Sequence, residues 1–324
     1  MNREENNDED EASVHGGTCM PHGLIVKALS GYYYVRPDGQ SMEQAVQCRA
    51  RGIFKKKGVS PLVGDRVVFS MTDNGEGTVE EIHERTSELI RPPIANVSLV
   101  LLAFSVVEPD FNPQLLDKFL VHIEHAGLEV AIVLTKWDAL LRMEGSKGEA
   151  ARAELEKQIE IYRRIGYEVI ITSAKDGLGY NQLHDKLSQG ISVFAGQSGV
   201  GKSSLLNAML PGINLETNAI SHRLGRGKHT TRHVELLALP DGGYIADTPG
   251  FSQLDFLELG VEQLGDCFKE FRELSGACKF RGCSHIHEPG CKVKEALEAG
   301  EIAESRYRHY TLFLEEMKDK KRRY

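Results

Sequence analysis

The chain has 324 residues, with 39 Lys and Arg against 47 Asp and Glu, for a formal net charge of −8. A hydrophobic share of 41% excludes a wholly disordered chain, and no apolar run reaches the roughly 20 residues that cross a bilayer. The opening MNREENNDEDEAS lacks a basic-then-apolar leader pattern, and six cysteines in so long a chain do not suggest a disulfide framework. A cytoplasmic protein with no membrane partner is expected.

Residues 1–21 read as a disordered acidic tail, with six carboxylates and one arginine in the first 11 positions. Residues 22–91 hold short β-rich runs: GLIVKAL, YYYVR, AVQCRARGIF, DRVVFSM and GTVEEIHE. Turn signals at Pro37-Asp38-Gly39 and Asp73-Asn74-Gly75 separate them, so a small barrel of the oligonucleotide-binding (OB-like) kind is expected. Arg49, Arg51, Lys55, Lys56 and Lys57 predict a basic face on it. Pro92 and Pro93 mark a boundary. Residues 92–260 then alternate apolar strands (VSLVLLAF, EVAIVLT, EVIITSA, ISVFAG, VELLAL, GYIADT) with helical stretches such as Pro113 to Ala126 and Gly148 to Ile165. That alternation predicts a doubly wound α/β domain. Residues 261–324 read as helical, with a cysteine-rich loop at 278–291, a last helix from Ile302 and a basic end, KDKKRRY.

Gly196-Gln197-Ser198-Gly199-Val200-Gly201-Lys202-Ser203-Ser204 fits the phosphate-loop pattern G-x-x-x-x-G-K-[ST] between the strand run ISVFA and the helical run SLLNAML. Glycines allow main-chain N–H groups to turn toward phosphate, and the helix N-terminus adds partial positive charge. Lys202 is expected on the β- and γ-phosphates, and Ser203 on Mg²⁺.

Two further segments choose the base. Thr135-Lys136-Trp137-Asp138 leaves a buried strand as T-K-x-D. A carboxylate there accepts from guanine N1–H and N2–H₂, donors that adenine lacks. The Lys136 stem can lie along the base. Ser173-Ala174, in Thr172-Ser173-Ala174-Lys175, leaves a second strand, where the Ala174 N–H is expected on guanine O6. Asp247-Thr248-Pro249-Gly250 matches D-x-x-G, with Asp247 supporting Mg²⁺ through water and the Gly250 N–H meeting the γ-phosphate. Of the paired Thr230 and Thr231, Thr231 is taken as the switch threonine that completes the Mg²⁺ shell.

In an ordinary GTPase the phosphate loop comes first. Here the base-reading segments precede it, which a circular permutation explains. The permutation also leads DTPG directly into the C-terminal region, so that γ-phosphate-dependent movement can pass there.

Cys278, Cys283, His285 and Cys291 form C-x₄-C-x-H-x₅-C, a closed set suited to one structural Zn²⁺, with His287 as competing ligand. Cys19, Cys48 and Cys267 are isolated and read as unligated.

With GQSGVGKSS, GKHTTR, DTPGF, TKWD and CKFRGCSHIHEPGC, the chain closely resembles the RsgA/YjeQ family over residues 22–315. The resemblance implies an OB-like barrel, a permuted GTPase core and a zinc-binding helical domain. It implies binding of GTP/GDP, the small ribosomal subunit and its rRNA, and a role in late maturation of that subunit. It also implies slow GTP hydrolysis alone, stimulated by the subunit. Phe251 stands where many GTPases have glutamine, and the resemblance points to His229 as the group orienting the attacking water, with Thr231 beside it. Thr135 replaces a common asparagine, which predicts lost support of the phosphate loop. A monomer is expected. The competing reading is a binding module whose nucleotide state only controls release from RNA or protein.

Overall fold

A computed structural model of the chain describes residues 20–90, 92–210, 234–247 and 259–323. The acidic tail at 1–19, the segment with His229, Thr230 and Thr231, and Thr248 to Phe251 lie outside the described residues.

Five strands build the N-terminal barrel: β1 (His22–Leu29), β2 (Tyr32–Pro37), β3 (Val46–Ala50), β4 (Arg66–Met71) and β5 (Gly77–Ile82). Their order is β1-β2-β3-β5-β4, and β4 returns to pair with β1. Ile25, Val35, Val67, Phe69 and Val79 fill the interior from alternate positions. The run AVQCRARGIF does not stay extended. It leaves β3 after Ala50 and turns into the short helix α1 (Gly52–Lys56), which buries Phe54. The expected basic face is correspondingly broken up. Arg51 pairs with Glu80 at 2.9 Å and Arg49 stacks on Tyr32, while Lys55, Lys56 and Lys57 remain exposed.

Pro92 and Pro93 sit in a small hairpin of β6 (Glu88–Ile90) and β7 (Pro93–Ala95). The Ala95 N–H donates to Val63 O and Asn96 Nδ2 donates to Gly64 O, which straps this connection to the barrel.

The second body is a sheet of β8 (Val97–Ser105), β9 (Glu129–Thr135), β10 (Glu168–Ile171), β11 (Ile191–Ala195), β12 (Val234–Ala238) and β13 (Tyr244–Asp247). Its order is β10-β9-β8-β11-β13-β12, parallel except for β12. Alternation along β8 feeds two cores. Val100, Leu102 and Phe104 pack against α2 (Pro113–His125) and α4 (Gly145–Arg164). Leu99, Leu101 and Ala103 pack against α5 (Tyr180–Leu187) and α6 (Lys202–Met209). A short helix, α3 (Trp137–Leu141), follows β9. Barrel and α/β sheet are joined where β1 pairs antiparallel with β12, with Lys27 opposite Glu235 and their side chains 3.1 Å apart.

The C-terminal body comprises α7 (Lys269–Ser275), α8 (Lys292–Glu298) and α9 (Glu304–Arg323) around Phe268, Phe271, Val293, Tyr310 and Phe313. Val121 of α2 belongs to the same core. Asp117 of α2, fully buried, accepts from Arg306 Nη1 at 2.5 Å and from the Tyr162 hydroxyl at 2.8 Å, and lies 2.5 Å from His309 Nδ1. Arg306 also reaches both oxygens of Glu270, at 2.7 and 3.0 Å. Its anionic neighbours hold the buried guanidinium well above its ordinary pKa, against the burial that would lower it.

Candidate nucleotide-binding and metal sites

Every predicted base or phosphate segment that the structure describes leaves the same end of the parallel sheet. The phosphate loop follows β11. Gly196 has φ +127°, and a Cβ there would lie 2.1 Å from Ala103 O of β8, so only glycine lets the loop leave the strand at this angle. Gly201 caps α6 with φ +94°. Val200 is buried, Gln197 is half-buried, and Ser198 and Gly199 are exposed at the loop tip. Lys202 folds over the loop and donates to Gly196 O at 2.8 Å and Gln197 O at 2.7 Å. Burial pushes its ammonium down to about 8. Ser203, half-buried, and Ser204, exposed, begin α6, whose first N–H groups face the loop.

Thr135 ends β9, and its hydroxyl lies between two carbonyls, Val200 O of the phosphate loop and Phe104 O of β8 at 3.3 Å. The expected loss of loop support is therefore corrected: a threonine hydroxyl reaches the loop from the strand beneath it. Lys136 has φ +60° and donates to Gly199 O at 2.8 Å and to Glu108 O. Trp137 is half-buried, and its N–H donates to Thr172 O at 3.2 Å, while the Thr172 N–H donates to Leu134 O at 2.7 Å. These bonds staple the two base-reading segments together. The Ser173 hydroxyl lies 3.1 Å from Asp138 Oδ1, which places the second segment against the first. Ala174 accepts the Tyr180 hydroxyl on its carbonyl at 2.9 Å. Arg142, one turn beyond Asp138, pairs with Asp138 Oδ2, a contact that the motif reading did not include. Its only sequence signal was an arginine four places after the aspartate.

Asp247 closes β13 beside β11, with its main chain opposite Glu235 of β12. Thr231, His229 and Gly250 fall outside the described residues.

The cysteine cluster forms as a unit. Cys278, Cys283, His285 and Cys291 place one ligand atom each within 4.8 Å of one another. Tetrahedral zinc with 2.3 Å thiolate bonds needs sulfurs about 3.8 Å apart, so this donor set fits that ion. His285 Nδ1 lies 3.3 Å from Cys291 Sγ and 3.8 Å from Cys278 Sγ. His287 is exposed and stands outside the cluster. Supporting bonds hold the loop: Tyr307 donates to His285 O and Tyr310 to Ser284 O, both at 2.7 Å. Glu288 accepts from the Ser284 hydroxyl and from main-chain N–H groups of Ser284, Ile286 and His287. Those donors outweigh burial and hold its carboxyl at about 2. Cys48 and Cys267 are buried and stand outside the ligand group, although Cys267 shares the C-terminal core with Cys291; burial pushes both thiols up to about 12.

A phosphate loop and two base-reading strand ends on one sheet, with β13 ending at the Asp247 that opens D-x-x-G in the sequence, define in this chain order a circularly permuted GTPase. The family comparison agrees: the RsgA GTPase model matches residues 82–257 and the RsgA N-terminal domain model residues 22–79. The chain belongs to the RsgA GTPase family. Among curated relatives, proteins named "Small ribosomal subunit biogenesis GTPase RsgA" from Geobacillus kaustophilus and Bacillus pumilus are 53% and 52% identical over 305 residues, 94% of this chain and 100% of theirs. Among solved structures, "YloQ, a circularly permuted GTPase" is 45% identical with TM-score 0.76, covering 94% of this chain and 98% of its own. YjeQ from Thermotoga maritima is 38% identical with TM-score 0.77, covering 91% and 98%.

Proposed function

We propose that this chain hydrolyses GTP on the small ribosomal subunit during its late maturation, slowly alone and faster when the subunit is bound. The observation that carries the nucleotide half of this reading is the convergence of Lys202, Thr135, Asp138 and Ala174 at one end of one sheet. The curated relatives' shared name supports the subunit as partner.

In this reading Asp138 accepts from guanine N1–H and N2–H₂, the Ala174 N–H meets O6, and Lys136 lines the base with its stem. The loop from Gly196 to Gly201 presents N–H groups to the phosphates, and Lys202 leaves the two carbonyls that hold it to neutralise them. Ser203, Thr231 and Asp247 would hold Mg²⁺, which supplies charge neutralisation at the phosphates. His229 orients the attacking water. The cysteine cluster would hold one Zn²⁺ in a closed set, so its contribution is folding of the C-terminal body rather than catalysis. The three working units are residues 22–91, 92–260 and 261–324. The protein acts as a monomer in the cytoplasm and meets rRNA through the barrel and the C-terminal body.

The test is GTP turnover by the full chain with purified small subunits, large subunits or neither. Stimulation by small subunits alone is expected. Equal rates in all three would remove the subunit from the reading. Full stimulation of His229→Ala with normal binding would remove that histidine from the mechanism.

A further inference from the structure

The carboxylate assigned to the base is already engaged. Asp138 is only 11% exposed at its side chain, and its Oδ2 accepts from Arg142 Nη2. Its Oδ1 lies 3.1 Å from the Ser173 hydroxyl. Arg142 Nε also donates to the main-chain oxygen of Asp138 at 3.2 Å, and Lys175 Nζ stands 3.7 Å from the same Oδ2. Arg142 caps the C-terminal end of α3.

An arginine four places after an aspartate is ordinarily a weak surface pair. Two things set this one apart. The acceptor is the group on which guanine choice rests. The donor also resembles the base. Guanine presents N1–H and N2–H₂ across C2, a planar amidine edge, and a guanidinium is a planar fork of the same donor chemistry. Both seek the oxygens of a single carboxylate.

We propose that Arg142 is a built-in surrogate for the guanine edge, which holds Asp138 in the nucleotide-free protein and must be displaced when nucleotide binds. The proposal rests on Asp138 being the base reader. The exchange is physically easy in one direction only. Asp138 is poorly solvated, and an unpaired carboxylate in such a place is costly. The Arg142 side chain is 58% exposed, so its charge can swing into water with little loss. Arginine therefore keeps the carboxylate paired whenever the base is absent. Because only the fraction of molecules with Arg142 swung away is competent to bind, apparent affinity drops by that fraction. The base is common to GDP and GTP, so both are affected alike.

The experiment is stopped-flow binding of fluorescent GDP and of its xanthine counterpart to the full chain. Arg142→Ala should speed GDP association about two- to fivefold, the worth of an exposed ion pair, with dissociation unchanged. Arg142→Gln should behave like the alanine variant, and a melting curve matching the parent shows that both are folded. Asp138→Asn should move preference from guanine to xanthine, and adding Arg142→Ala to it should change xanthine binding no further. Unchanged or slower GDP association in both Arg142 variants, with the Asp138→Asn switch intact, overturns the surrogate role alone. If Asp138→Asn keeps its guanine preference, the base-reader assignment falls and this proposal falls with it.

Discussion

Thr135 and Lys202 set the strength of the phosphate loop from below and from above. The Thr135 hydroxyl meets Val200 O, a contact across 65 positions of sequence. Thr135→Ala should weaken GDP binding about two- to tenfold, the worth of one net hydrogen bond, and Thr135→Ser should restore it; titration calorimetry reads both. The sequence made T-K-x-D legible but misjudged its first residue. That β9 ends beneath the loop, with Thr135 Oγ1 3.9 Å from where a Gly201 Cβ would stand, is a fact of the sheet order. Lys202 yields a pH prediction. Burial brings its ammonium down to about 8, and phosphate would raise it again. Below that pH the free and bound forms both carry the proton, so affinity is flat. Above it the free protein gives up a proton that the complex keeps, and affinity falls by up to about tenfold per pH unit. Uptake of a fractional proton on binding near pH 8 should appear as buffer-dependent heat. For folding, the unfolded chain binds more protons from about 8 up to the ordinary lysine value. The burial penalty is thus full below that window and is relieved as pH rises through it.

At the scale of elements, the cysteine loop was readable because metal geometry dictates spacing. The choice of His285 over His287 was also made on the sequence, and burial of the first with exposure of the second accords with it. Its dependence on the aromatic helices was not readable. Phe271 stacks edge-on to His285 with ring centres 5.9 Å apart, and Tyr307 and Tyr310 pin the loop carbonyls. Metal analysis should find one zinc per chain. Its removal by a chelator should strip hydrogen-exchange protection from α7, α8 and α9, while β8, β9 and β11 keep theirs. A different miss occurred at α1. Apolar residues in AVQCRARGIF suggested one long strand, but Gly52 begins a helical turn that buries Phe54 against the barrel. Tertiary burial decided the element there, and a run of five residues carries too little periodicity to announce it.

At the scale of the whole molecule, the joints between bodies carry polar contacts that no local pattern reveals, beside the apolar cores they share. Asp117 and Arg306 are 189 positions apart, yet they form the centre of the joint between α2 and α9. Asp117→Ala leaves Arg306 and His309 buried without that partner and should cost about 3 kcal/mol or more in urea denaturation. At the other seam the registers line up across three strands: Asp247 lies opposite Glu235, and Glu235 opposite Lys27. The main chain of the residue that opens DTPG is thus two strand spacings, about 10 Å, from the first strand of the barrel. Through that seam the barrel and the α/β sheet share one hydrogen-bonded ladder. By strand order β3 and β5 lie across the barrel from β1, so any shift of β12 that carried β1 with it would be largest there.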